Sequence, residues 1–150
     1  MFHDLSLLTS VVRLANAQAA GLTDFTSSAL DMEDYDGVLF ICAAGAVSAT
    51  AVSQVKIQQS SDDGSTDAYA DLAGTFSAAL VSGTDDNKVI LIDVYRPQER
   101  YLKVVWHRST ANTVIDGIFA IRYHGKVMPA ALDATVKALT KFSAPAEGAA

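Results

Sequence analysis

Apolar and polar residues alternate with a period of two through most of the middle and end of this chain. In Val52–Gln59, Val55 and Ile57 fall on one face and Lys56 and Gln58 on the other, the pattern of a strand with one wet side. Tyr101–His107 sets Leu102, Val104 and Trp106 against Tyr101, Lys103, Val105 and His107, and Val114–Tyr123 aligns Ile115, Phe119, Ile121 and Tyr123. Gly37–Cys42 reads as another strand, with weaker candidates at Val11–Ala17 and Phe25–Met32. Lys88–Tyr95 differs, because its Val89-Ile90-Leu91-Ile92 run is apolar on both faces. That predicts a central strand covered twice, by a second sheet and a neighbour or by a subunit partner.

Turn chemistry separates these runs. Ser61-Asp62-Asp63-Gly64-Ser65 holds an Asp-Gly pair that tolerates the positive φ of a tight hairpin, and Thr84-Asp85-Asp86-Asn87 makes a second polar turn. Pro97, in Arg96-Pro97-Gln98-Glu99, presets φ and cannot continue a ladder, so Lys88–Tyr95 is expected to fold back onto Tyr101–His107 as an antiparallel pair. Ser109–Asn112 then extends the meander into Val114–Tyr123. Seven or eight strands without a long helical pattern predict an all-β fold, an antiparallel β-sandwich or jelly-roll-like domain over residues 1–129, with 1–30 partly extended. Beyond Pro129, Leu132, Val136 and Leu139 recur at i, i+4 and i+7 among alanines. Residues 130–150 are expected as a flexible C-terminal arm or a short helix.

Composition narrows the function. Of 150 residues, 50% are hydrophobic, but 25 are alanine; the 34 Val, Ile and Leu residues are enough to exclude a disordered chain. A net charge of −6 is the wrong sign for phosphate neutralisation, so no nucleic acid is expected as partner. The charge is uneven, with ten acids and two bases in residues 1–75 against seven acids and nine bases in 76–150. Such a split suits a head-to-tail contact, or averages out if the halves interleave in one sandwich. Met1–Ala20 lacks the basic start of a secretory leader, and no apolar run is long enough to span a bilayer, so no membrane is expected. Cys42, inside Val-Leu-Phe-Ile-Cys-Ala-Ala, reads as a small buried hydrophobe in a protein made in a reducing cytoplasm.

Candidate chemistry is sparse. His3, His107 and His124 are too scattered for a metal site, and Asp62–Asp67 fails the EF-hand spacing, leaving a solvated hairpin tip. Asp31–Asp36 reads as a solvated acidic loop before a strand. No nucleophile elbow, Walker loop or dinucleotide fingerprint occurs, so neither an enzyme nor a cofactor is expected. The basic residues Arg96, Arg100, Lys103 and Arg108 gather around one predicted hairpin. They are candidates to meet an acidic partner surface, or to keep an exposed sheet edge from pairing.

The string Val55-Lys56-Ile57-Gln58-Gln59-Ser60-Ser61-Asp62-Asp63-Gly64, followed by Tyr69-Ala70-Asp71-Leu72, resembles a strand, hairpin and return found in β-sandwich proteins of tailed-bacteriophage particles. The block from Asp93 through Val-Tyr-Arg-Pro-Gln-Glu-Arg-Tyr-Leu to Val105, then Ile115-Asp116-Gly117, is similar to small phage virion proteins of the head decoration, or cement, type. The resemblance covers about residues 37–127 and carries no catalytic residue. It implies a structural protein on the capsid exterior of the virion, often a homotrimer, that clamps subunits of the major capsid protein. A phage tail or neck component and a carbohydrate-binding sandwich are the competing expectations.

Overall fold

The computed structural model describes residues 4–48, 53–109, 113–142 and 146–148. One helical turn, α1 (Leu5–Leu8), precedes ten strands: β1 (Thr9–Ala15), β2 (Gln18–Gly21), β3 (Phe25–Thr26), β4 (Leu30–Asp31), β5 (Tyr35–Val47), β6 (Ser53–Ser60), β7 (Ala70–Asp71), β8 (Val89–Tyr95), β9 (Tyr101–Arg108) and β10 (Thr113–Gly125). They form two antiparallel sheets packed face to face, a β-sandwich. The first has the order β1-β10-β5-β8 with β2 also on β10; the second has the order β3-β9-β6-β7 with β4 also on β9.

Alternation explains the core. Val55 and Ile57 of β6 meet Leu102, Val104 and Trp106 of β9 on the inner face of the second sheet, and all five have no solvent exposure. Opposite them stand Val38, Phe40 and Cys42 of β5, and Ile115, Ile118 and Ala120 of β10. Trp106 donates its indole N–H to Ser53 Oγ at 2.7 Å, satisfying the one polar atom that its burial would otherwise strand.

Three expectations about connectivity are overturned. Lys88–Tyr95 does not pair with Tyr101–His107: β8 lies on β5 in the first sheet and β9 on β6 in the second. The Arg96–Arg100 turn is therefore a corner between layers. Val94 and Leu102, on either side of it, are both buried, each facing the core from its own sheet. β9 and β10 likewise sit in different sheets, so the meander does not continue there. Nor is β8 central, since it ends its sheet.

A fourth correction concerns β10, whose pairing with β5 shifts register between Ile115 and Gly117. The bulge changes which parity points inward: Ile115 is buried, but Ile118 and Ala120 follow it while Phe119, Ile121 and Tyr123 turn outward. The C-terminal alternatives also resolve in part, because residues 126–142 contain no helix. This segment meets β1, where Thr135 Oγ1 accepts the Arg13 N–H at 2.9 Å; α1, where the Leu7 carbonyl accepts the Ala130 N–H; and β10, where Arg122 meets Asp133 at 3.3 Å.

Candidate interaction surface

The two sheets present opposite outer faces. On the second, Gln54, Lys56 and Gln58 of β6 stand beside His107, Val105 and Lys103 of β9, a mostly polar surface on which Phe76 packs, half exposed, against Lys56 and His107. The first sheet is apolar outside. Across its four strands run the rows Val11–Ile121–Leu39–Asp93 and Arg13–Phe119–Ile41–Leu91, with Ala43 beside Val89. Val11, Val89, Leu91 and Tyr95 are exposed, and Leu39, Ile41, Phe119 and Ile121 are only half-buried. A contiguous apolar face of this kind marks an interaction surface, whereas singly scattered apolar residues do not.

The strand signal for this face was present in part. Val38-Leu39-Phe40-Ile41 is apolar at consecutive positions, the mark of a strand covered on both sides. Period-two alternation puts Ile115 on one face with Phe119, Ile121 and Tyr123, and the bulge, which periodicity does not reveal, separates Ile115 from the other three.

The four basic residues do not form one surface. Arg108 is buried, and its guanidinium donates to the Thr23, Ala19 and Thr113 carbonyls, an internal brace. Arg100 grips Asp31 through two bonds of 2.8 and 2.6 Å and also meets Glu33 at 2.6 Å. That pairing holds the Asp31 carboxyl below its ordinary range. Lys103 stands 3.9 Å from the centre of the Tyr69 ring and 3.7 Å from Asp63. Arg96, at a φ of 52°, stacks on Tyr95 and makes no ion pair among the described residues.

The acidic hairpin tip is filled from within the chain. Asp62 accepts the Ser65, Thr66 and Asp67 N–H groups and the Thr66 hydroxyl. Its carboxyl is pulled down to about 2, chiefly by the Thr66 hydroxyl. Asp67 accepts the Ser61 N–H and hydroxyl. This loop is an Asx-type closure of the β6–β7 hairpin. His107 pairs with Asp24 at 2.8 Å, His124 packs against Tyr95 and Tyr123, and His3 lies outside the described residues. No cluster with metal-ligand character occurs among the described residues. Tyr101 and Tyr123 belong to different sheets, so Tyr69, Tyr101 and Tyr123 do not make one aromatic platform.

No protein-family model matches the chain, and no curated protein matches it.

Proposed function

We propose that this protein is a structural virion component, a decoration or cement protein that binds an assembled phage capsid and bridges neighbouring subunits of the major capsid protein. The observation that carries the mode of action is the apolar outer face of the β1-β10-β5-β8 sheet, set against the more polar outer face of the other sheet. A two-layer wall with one such face suits a molecule lying on a larger surface, apolar side down. The resemblance of Val55–Gly64 to β-sandwich proteins of tailed-phage particles, and of Asp93–Val105 to small phage virion proteins, supports the choice of particle.

The energetics need no chemistry. A protein that binds only the assembled state stabilises it by mass action, and contacts of about 800 Å² per partner suffice for each specific interface. Many copies then act in parallel. An electron cryo-microscopy map of the parent virion tests the reading. Sandwich density on the head exterior, with Leu39, Ile41 and Phe119 against a capsid subunit, supports it; density confined to the tail or neck, or none, overturns it.

A further inference from the structure

Among the described residues, β8 is the longest edge strand whose outward main-chain groups carry no hydrogen bond. The C-terminal segment passes the β1 edge, where Thr135 takes the outward Arg13 N–H, and meets α1 just before it, where Ala130 donates to Leu7. Along β6 runs the segment 72–80: Leu72, Ser77 and Leu80 donate their N–H groups to the Ile57, Val55 and Ser53 carbonyls, while the Thr75 and Ser77 hydroxyls accept the Ile57 and Val55 N–H groups. β3 and β4, at the remaining edge of the second sheet, have two residues each, too short to template another strand. β8 has seven residues, and no described strand pairs on its outer side.

Its geometry is that of an open template. β8 pairs with β5 through seven consecutive residues without a bulge, so its hydrogen-bonding groups alternate regularly. The Lys88 carbonyl and the Arg96 N–H both point to β5, as groups bonded to Ala44 and Asp36. By that alternation the N–H and C=O groups of Val89, Leu91, Asp93 and Tyr95 point to the free edge. No proline interrupts them, Asp93 is the strand's one charge, and a groove of about 540 Å³ opens below, between β8 and Gly74–Leu80.

We infer that β8 pairs antiparallel with β8 of a second copy, joining two first sheets across a twofold axis. A twofold contact matches one patch with itself, which a single low-charge strand satisfies. Charge selects the register. Centring the axis on Ile92 would set the two Asp93 carboxylates diagonally about 7–8 Å apart. Centring it on Leu91 sets Leu91 against its copy and Val89 against Asp93, and moves the acids to opposite flanks. Area gives the reason for a second copy. Two strands of seven residues, about 23 Å long, and two of thirteen, about 43 Å long, spaced about 4.8 Å apart, make an outer face of roughly 630 Å². That is below the roughly 800 Å² per partner of a standard interface, and pairing two copies doubles it. The result is a twofold dimer, not the trimer that the resemblance implies.

Sedimentation velocity and amide hydrogen exchange on the full chain test the inference. The chain should sediment as a dimer, with the Val89, Leu91 and Asp93 N–H groups protected in the dimer and exchanging after dilution to monomer. Leu91→Pro removes an N–H that β5 does not use and should leave a folded monomer, with Trp106 fluorescence unchanged. Leu91→Lys should do the same without altering the backbone. A monomer at every concentration, a trimer, or a dimer with those three N–H groups unprotected would overturn it. Capsid binding with unprotected edge N–H groups would overturn the β8 pairing while leaving the proposed function standing.

Discussion

The Tyr123 hydroxyl donates to Asp93 Oδ1 at 2.6 Å, reaching from β10 across β5 to β8. The ring passes over Gly37, where a Cβ would stand 2.2 Å from a ring atom. Glycine there is a requirement of close approach. Gly37→Ala should therefore cost about 1–3 kcal/mol by overpacking, read from urea unfolding, and the cost should vanish in a Tyr123→Ala background.

The same contact makes a pH prediction. Burial, and then the Asp93 carboxylate, push the Tyr123 phenol up to about 12 from an ordinary value near 10. Its folded value lies above its unfolded one, so its contribution to stability is complete below pH ~10 and is lost as pH rises through about 12. Titration of the Tyr123 ring resonances by NMR should show this late ionisation, and Asp93→Asn should bring it earlier.

Arg108 braces the end of the sandwich, where its guanidinium collects carbonyls from Ala19, Thr23 and Thr113. Arg108→Met keeps much of the volume but leaves the buried Thr113 carbonyl, and the part-buried Ala19 and Thr23 carbonyls, without this donor. The expected loss is about 2–4 kcal/mol in chemical denaturation. Arg108→Lys should recover little of it, because an ammonium lacks the planar fork that reaches several carbonyls at once.

Asp62 predicts behaviour at the acid end. Its carboxyl is lowered to about 2, so the stability it contributes is present above its unfolded value near 3.9 and is lost as pH falls through about 2. The Ser65, Thr66 and Asp67 N–H resonances should hold their positions down to pH ~3 and shift together below it. Asp62→Asn should shift them at every pH.

Cys42 has no exposure, and burial alone pushes its thiol up to about 12. Native protein at pH 8 should not react with a disulfide reagent such as DTNB, while unfolding in urea should release one thiol per chain.

The sandwich was legible because period-two patterning reports burial of one face, and Val55, Ile57, Leu102, Val104 and Trp106 all point inward as that pattern requires. Sheet membership was not. Pro97 marks a turn equally well whether the chain reverses within a sheet or crosses between layers, and only the long-range pairings of β8 with β5 and of β9 with β6 distinguish the two. The outer face was half visible: Lys88–Tyr95 carries the mark of a strand apolar on both sides, yet it lies at an edge, with Leu91 and Tyr95 open to solvent. The basic cluster failed as a surface because proximity in sequence hides direction. Along β9, Lys103 and Arg108 differ by an odd number of residues and point to opposite faces, so one meets Tyr69 while the other enters the interior.

Hydroxyl-radical footprinting of the free chain and of the chain on its particle tests most directly whether the first sheet's outer face is the contact surface. Leu91, Tyr95 and Phe119 should become protected on the particle, while Tyr101 and His107 on the other sheet keep their labelling. Protection of Tyr101 and His107 with Leu91, Tyr95 and Phe119 unchanged would contradict the account.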